Sequence, residues 1–338
     1  MKDLGKKAQG LPEAAAKPVP DPGAVRFFRV DAESAGQRLD NYLFKLAKGV
    51  PKSHVYRIIR GGEVRINRKR VDATYRLAAG DELRLPPLRV AERADRTPAR
   101  PATFPVLFED EHLIVIDKSA GVAVHGGSGV SFGVVEQLRA HGLIERPHGS
   151  FLELVHRLDR ETSGVLMLAK KRSVLTALHE TFRNGAIDKR YLALVVGDWT
   201  NARQHVRAPL EKYLINDGER RVRVAADGMP AHTVFALRER FGDCTLLEVE
   251  LKTGRTHQIR VHLAHLGFPI VGDPKYGDGT PVQAAQALLR GLGFTRMFLH
   301  AWRLSLQHPV TGAPLVCEAP LPADCQALLA TLRTGSRA

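Results

Sequence analysis

The chain has 338 residues, of which 44% are hydrophobic and 25% charged, and its formal net charge at pH 7 is +14. This length allows two domains, and the composition is typical of a globular protein rather than a disordered one. The sequence has no apolar run of the roughly 18 to 20 residues that a membrane span needs. It also lacks the apolar stretch of a signal peptide and any Cys-x-x-Cys pair, so we expect a cytoplasmic protein without disulfides or a thiolate metal site.

The positive charge is concentrated at the N-terminal end. Residues 1–100 carry 22 Lys and Arg against 12 Asp and Glu, a net of +10, so the rest of the chain contributes only +4. Such a field favours capture of a polyanion, although a solvated surface with a basic bias has the same composition. Residues 1–24 mix Lys, Ala, Pro and Gly without periodicity, which predicts a disordered basic arm.

The segment 25–88 is predicted to form a small basic domain. Apolar residues at helical spacing over residues 39–46 predict a first helix. Pro51 begins a second helix and Gly61 ends it. Residues 63–71 alternate as strand, turn and strand, and a further strand follows Asp81.

This domain has a basic face with a recognisable set of residues. The set consists of Arg38-Leu-Asp, Ser53, Arg57, Gly61-Gly62-Glu63-Val-Arg-Ile-Asn and Gly80-Asp81. It resembles the S4 RNA-binding domain, a family that docks its helical face on structured RNA; the alternative is a winged module with an incidental basic face. The candidate RNA contacts are Lys52, Arg57, Arg60, Arg65, Arg68 and Lys69.

Residues 89–103 are charged, contain prolines and lack an apolar face, which predicts a linker. Beyond it, apolar strand-like runs alternate with helical stretches. The predicted strands are Pro105–Phe108, Leu113–Asp117, Gly164–Ala169, Tyr191–Val196 and Cys244–Leu251, and the helices include Phe132–Arg139 and Ser173–Asn184. We therefore expect an α+β domain over residues 104–330, with a mixed, largely antiparallel sheet flanked by helices, followed by a tail at 331–338.

Residues 154–170 contain the most informative motif. An apolar strand leads into His-Arg-Leu-Asp-Arg at residues 156–160, and a second apolar strand follows a turn. This pattern presents Asp159 at a sheet edge between two arginines, where a carboxylate stays ionised as a nucleophile or base must. The alternative is structural: Asp159 caps the turn, or pairs with Arg157 or Arg160.

Two further segments supply candidate residues. Tyr191, near the start of a strand, can stack on a base or offer a phenol. In residues 251–262, a strand passes through Thr-Gly to a predicted helix that begins at Arg255, where backbone N–H groups favour an anion; Arg260 can meet phosphate. The spacing of the nearby His257, His262 and His265 does not match a helical metal motif.

Residues 156–164, His-Arg-Leu-Asp-Arg-Glu-Thr-Ser-Gly, resemble the signature of the pseudouridine synthases of the RluA type. The family's other blocks follow in order, as Lys-x-Tyr-x-Ala at residue 189, Leu-x-Thr-Gly-Arg-Thr-His-Gln-Ile-Arg at residue 251 and Gly-Asp-Pro-x-Tyr-Gly at residue 272. Residues 51–60 and 124–134 are most similar to members that modify large-subunit ribosomal RNA.

The resemblance implies specific roles. Asp159 would attack the uridine, Arg255 would form the salt bridge that keeps it ionised, and Tyr191 would stack on the target base. Arg157 would fill the space that a flipped base leaves, with Arg160 beside it as an RNA contact. The isomerisation exchanges no electrons and no group, so neither cofactor nor metal is expected.

The implied partner is 23S ribosomal RNA, bound by a monomer, with no membrane and no metal. Two other interpretations remain. One is a noncatalytic RNA-binding or ribosome-assembly factor, against which the presence of Asp159, Tyr191 and Arg255 argues. The other is an enzyme with the same chemistry that acts on transfer RNA.

Overall fold

The structure, a computed structural model, describes residues 24–47, 49–88, 104–124, 132–140, 151–215, 218–277, 291 and 293–335. The chain separates into two compact units, residues 1–96 and residues 97–338. The predicted basic arm, apart from Ala24, and the predicted linker 89–103 lie outside the described residues. The domain boundaries given by the sequence therefore stay predictions.

The first unit contains two helices and a three-stranded antiparallel sheet. The helices are α1 (Leu39–Leu46) and α2 (Lys52–Arg60); the strands are β1 (Arg26–Arg29), β2 (Arg65–Ile66) and β3 (Glu82–Leu85), in the order β1-β3-β2. The strand-turn-strand unit predicted over residues 63–71 is shorter than expected. Only β2 forms, because the chain turns at Asn67 and Arg68, which both have positive φ.

Helix α2 buries one face and exposes the other, as its spacing predicts. Val55, Ile58 and Ile59 lie in the core of the unit, whereas Lys52 and Arg57 are exposed. Full burial of one such aliphatic side chain stabilises the fold by about 1.5–3 kcal/mol. The apolar contacts therefore fix the helix against the sheet and leave its cationic side chains in solvent.

The second unit is built on a ten-stranded sheet. Its strands are β4 (Val106–Glu109), β5 (Leu113–Lys118), β6 (Glu153–Leu154), β7 (Ser163–Ala169), β8 (Asp188–Val196), β9 (Arg203–Val206), β12 (Thr233–Arg240), β13 (Cys244–Leu251), β14 (Leu299–Gln307) and β15 (Pro314–Glu318). The order is β4-β5-β7-β14-β8-β13-β12-β9, with β15 beside β14 and β6 beside β7. Only the β7–β14 pair is parallel among the described strands, so the predicted mixed, largely antiparallel sheet is confirmed.

A separate hairpin and four helices complete the described part of this unit. The hairpin is β10 (Leu210–Leu214) with β11 (Arg220–Val224); the helices are α3 (Val134–Ala140), α4 (Arg172–Arg183), α5 (Gln258–His265) and α6 (Ala323–Gly335). Helix α6 continues past residue 330, where the sequence predicts the domain to end. Helix α5 begins three positions after the predicted start at Arg255.

Strand β7 lies between two core layers, and all seven of its residues are buried. Leu166 and Leu168 face one layer, whereas Val165 and Met167 face the other. Gly164, the second residue of the strand, has φ +108°, and an added Cβ would lie 2.2 Å from the carbonyl oxygen of Ala301 on β14. Only glycine fits there, which fixes the path of the chain as it leaves the turn that carries Asp159.

Candidate active site

A cavity of about 740 Å³ lies where the turn before β7, strand β8 and the start of α5 meet. This volume is in the range of small-molecule sites. The cavity collects residues that are far apart in the chain. Its lining includes Arg157, Asp159, Lys189, Tyr191, Arg255, His257 and Arg260.

The turn that carries Asp159 is fixed by main-chain contacts and by a buried lysine. The carbonyl of Asp159 accepts the N–H of Thr162 at 3.1 Å. The Lys118 ammonium, which is fully buried, donates to the carbonyls of Arg160 (3.1 Å), Ser119 and Val122. Burial lowers the pKa of Lys118 to about 8, and nearby carboxylates partly oppose the shift.

The ion pair of Asp159 is made by Arg260. Arg260 Nη1 lies 3.0 Å from Asp159 Oδ2. Arg255 has no carboxylate within 4.0 Å among the described residues; it is exposed and its Nε donates to the carbonyl of Pro230 at 3.0 Å. The predicted ion pair between Asp159 and Arg255 is therefore wrong, because Arg255 precedes α5 and its guanidinium is directed elsewhere.

Arg260 is itself held by a second carboxylate. Its Nε and Nη2 each lie 2.7 Å from an oxygen of Asp273, a bidentate pair. Asp273 also accepts the main-chain N–H groups of Lys275 and Tyr276. Burial opposes the charge of Arg260, but Asp273 and Asp159 together raise its pKa above the usual value. Arg260 is only 4% exposed, so the predicted contact with an RNA phosphate is also wrong.

A histidine that the sequence did not identify faces the same carboxylate. His257 has φ +53°, a conformation uncommon for a residue with a side chain. The Tyr276 hydroxyl accepts the N–H of Val222 at 3.0 Å and lies 2.8 Å from His257 Nδ1. The Tyr276 hydroxyl therefore links the His257 ring to the main chain of β11.

His257 Nε2 lies 3.8 Å from Asp159 Oδ2. Burial lowers the pKa of His257, although Asp159 opposes the shift, so the ring is neutral at neutral pH. The sequence named His257 only as a metal ligand to be excluded. The one local feature of the sequence that pointed to His257 as a site residue was its position three residues before Arg260 in the motif. The contact between His257 and Tyr276 could not be predicted from the spacing of the residues.

Tyr191 lies in the wall of the cavity, 9% exposed, on strand β8. Burial and the charge of Asp159 raise the pKa of its phenol, which stays neutral. Lys189 precedes it by two positions on the same face of the strand, and burial lowers the pKa of its amine. Its Nζ lies 5.5 Å from the centre of the Phe182 ring.

The other predicted RNA contacts are all exposed. Arg157 lines the cavity, whereas Arg160 donates to the carbonyl of Gly121 at 2.9 Å and lies outside the cavity lining. The remaining six lie on the first unit and are Lys52, Arg57, Arg60, Arg65, Arg68 and Lys69. Cationic residues of the β10–β11 hairpin that the sequence analysis missed also line the cavity; they are Lys212, Arg220 and Arg221.

The histidines near α5 do not converge on a common point. His262 is fully buried and lies 2.9 Å from the Thr233 hydroxyl and from the Ala208 carbonyl, while His265 is exposed. Across the described ranges, no three His, Cys, Asp or Glu side chains are grouped as metal ligands. Within the same ranges, no helix is long and apolar enough to span a bilayer.

Both units of the chain are similar to known proteins. The sequence profile of the RNA pseudouridylate synthase family matches residues 112–265, and that of the S4 domain matches residues 37–83. Ribosomal large subunit pseudouridine synthase C of Escherichia coli (strain K12) is 49% identical over 317 residues, which cover 92% of this chain and 97% of that protein. The protein of the same name from Yersinia pestis is 48% identical over 315 residues, covering 91% and 96%.

A solved structure, human RNA pseudouridylate synthase domain containing 4, superposes with a TM-score of 0.56 at 29% identity. The match covers 68% of this chain and 92% of the human chain. A second human structure, RNA pseudouridylate synthase domain containing 1, has a TM-score of 0.53 at 23% identity and shares the fold.

Proposed function

Because this chain belongs to the RNA pseudouridylate synthase family, we propose that it converts uridine to pseudouridine in large-subunit (23S) ribosomal RNA with Asp159 as the reacting carboxylate. The observation that carries the proposal is a single carboxylate in a nucleotide-sized cavity, ion-paired to a buried arginine and close to a neutral phenol. The names of the relatives support the choice of RNA.

The reaction breaks the N1–C1′ bond of uridine, turns the uracil and forms a C5–C1′ bond. A proton leaves C5 and N1 gains one, so atoms and charge balance without a redox partner. A carboxylate can attack C1′ or C6, or assist the departure of uracil. All three routes need Asp159 to be held in a fixed position, and the 3.0 Å contact with Arg260 supports this role.

The target nucleotide must leave its stack to reach Asp159, at a cost of a few kcal/mol. Tyr191 presents a ring in the cavity wall, where it can stack on the extruded base. Its phenol is neutral and can exchange a proton with the base during the rearrangement. Arg157 is exposed at the cavity and would fill the space that the base vacates.

We also propose that the enzyme acts as a monomer in the cytoplasm, where ribosomal RNA is assembled into subunits. It needs neither metal nor cofactor, because the isomerisation transfers no electrons and no external group. The first unit, which matches the S4 domain, would hold the RNA through its exposed cationic residues.

The test is to map pseudouridine in ribosomal RNA from cells with and without the gene. We expect sites lost from large-subunit RNA to return with the wild type and to stay absent with Asp159→Asn. The variant should keep its melting temperature and its affinity for RNA, because the amide is isosteric with the carboxylate.

Restoration of the sites by Asp159→Asn would refute the role of Asp159. If no large-subunit site is lost, the substrate is wrong, and the same mapping on transfer RNA tests that alternative. Loss of no site in either RNA would leave a noncatalytic RNA-binding protein as the explanation.

A further inference from the structure

The outer face of the sheet in the first unit carries an exposed aromatic ring beside arginines. Phe27 on β1 is opposite Arg84 on β3, and Arg84 is opposite Arg65 on β2. The three side chains therefore form one row across the sheet. Phe27 is 61% exposed, and placing two like charges side by side is unfavourable in the absence of an anion.

Main-chain carbonyl groups hold these arginines in place. Arg65 Nε donates to the carbonyl of Gly62 (3.2 Å), Arg70 Nη2 to that of Gly61 (2.9 Å) and Arg84 Nη1 to that of Glu63 (2.6 Å). These residues, with Phe27, Arg68 and Glu82, line a cavity of about 870 Å³.

The cavity has an excess of positive charge that the protein does not neutralise by ion pairing. Four of its lining residues are arginines (65, 68, 70 and 84) and two are glutamates (63 and 82). Within the described part of the chain, none of the four guanidinium groups has a carboxylate oxygen within 4.0 Å. Their remaining N–H groups are available to an anion.

The turn beside this cavity is strained in a way that favours a role for its side chains. Asn67 and Arg68 have φ of +49° and +67°. Two successive residues with positive φ favour Asn-Gly, and an arginine in the second place is costly. Arg70 lies across Gly62 so closely that an added Cβ would be 2.0 Å from its Nε. The chain thus has one arginine, Arg68, where glycine would be the more stable residue, and it has glycine at position 62, where the Arg70 side chain passes.

We propose that this face binds an unpaired nucleotide of the RNA, with the base stacked on Phe27 and the adjoining phosphates held by Arg65, Arg68, Arg70 and Arg84. Aromatic stacking with a cationic groove is the usual recognition of single strands, and a duplex would hide the base from the ring. The site differs from the cationic face of α2 and rests on the RNA substrate of the proposed function.

The test uses the full-length protein and a short labelled oligoadenylate, which contains no uridine and is therefore not a substrate. Phe27→Ala should weaken binding by about 5- to 150-fold, the usual loss when a stacking ring is removed, and Phe27→Tyr should restore it. An abasic strand of the same length, with the same phosphates, should bind wild type and Phe27→Ala equally. Equal binding of oligoadenylate by wild type and Phe27→Ala, or equal binding of oligoadenylate and a duplex, would overturn the stacking site.

Arg68→Gly separates binding from stability. It removes a cation and relieves the backbone, so the melting temperature should rise while affinity for both strands falls and its salt dependence becomes shallower. Unchanged affinity would exclude Arg68 from the site. Mapping of pseudouridine with the wild type tests the proposed function separately. If binding depends on Phe27 but no uridine is modified, the proposed function is refuted and the proposed binding site is not.

Discussion

The motif contains two arginines that could form the ion pair with Asp159, Arg255 and Arg260. Replacing each of them by lysine tests which one does. Arg260 uses three nitrogens: Nη1 contacts Asp159 at 3.0 Å, and Nε and Nη2 contact Asp273 at 2.7 Å each. A lysine keeps the charge but has one nitrogen on a flexible stem, so it cannot reproduce both contacts. Loss of the charge-assisted hydrogen bond to Asp159, about 1.5–3 kcal/mol, corresponds to a fall in turnover of about 10- to 150-fold.

The assay is single-turnover release of tritium from C5-labelled uridine in transcribed large-subunit RNA, with RNA affinity and melting temperature measured in parallel. Arg255→Lys is the matched control, because the exposed Arg255 side chain donates to the carbonyl of Pro230 rather than to a carboxylate. We expect Arg255→Lys to change KM by a few-fold at most and to leave the rate of the chemical step unchanged. A severe loss of that rate in Arg255→Lys, with Arg260→Lys active, would refute the assignment.

Three further changes test other parts of the site and the fold. Tyr276→Phe removes the hydroxyl 2.8 Å from His257 Nδ1, and kcat should fall about two- to tenfold at unchanged RNA affinity; an unchanged kcat would exclude the pair from positioning Asp159. Burial lowers the pKa of His300 from 6.5 to about 4. Between these two pH values the imidazole is therefore protonated in the unfolded chain and neutral in the folded chain. Stability should therefore fall by about 3 kcal/mol as pH drops from 6.5 to 4, and urea denaturation of His300→Asn should show a smaller dependence. Gly164→Ala should destabilise by about 3 kcal/mol or more because its methyl meets a main-chain oxygen at 2.2 Å, whereas Gly185→Ala, with φ +73° and open space around it, should show only the smaller backbone term in the same assay.

The strands of the second unit could be predicted because each is a short apolar run between breakers, and the pattern is local. The order of those strands in the sheet could not be predicted from the sequence. The parallel contact of β7 with β14 joins residues 137 positions apart, as Ser163 and His300 show through their 3.0 Å hydrogen bond. That contact also accounts for Gly164, which no property of the strand itself requires.

The error about Arg255 has a physical cause. The motif contains two arginines five positions apart, and the side that each faces depends on where the helix begins. The helix begins at Gln258, after a residue with positive φ at His257, which sequence alone did not indicate. Arg255 is consequently left in the preceding turn, and Arg260 lies in the buried first turns of α5.

The contacts that join His257, Tyr276 and Val222 next to Asp159 could not be predicted from the sequence for a different reason. His257 and Tyr276 are 19 positions apart, and Tyr276 and Val222 are 54 positions apart. Neither pair has a local pattern, because each is made by elements that meet only in the folded unit. The sequence predicted Asp159 and Tyr191 as the reacting groups, whereas the residues in contact with Asp159 are defined by tertiary contacts.

The contacts of Asp159 distinguish its two oxygens. Arg260 Nη1 and His257 Nε2 both approach Oδ2, at 3.0 and 3.8 Å, and no described side chain makes a hydrogen bond to Oδ1. Because Asp273 takes two N–H groups of Arg260, the two carboxylates and one guanidinium retain a net negative charge, and Asp159 is oriented without being neutralised. The Arg260 guanidinium thus occupies Oδ2 and leaves Oδ1 without a hydrogen bond from the described side chains. We therefore expect Oδ1 to be the oxygen that reacts with the uridine.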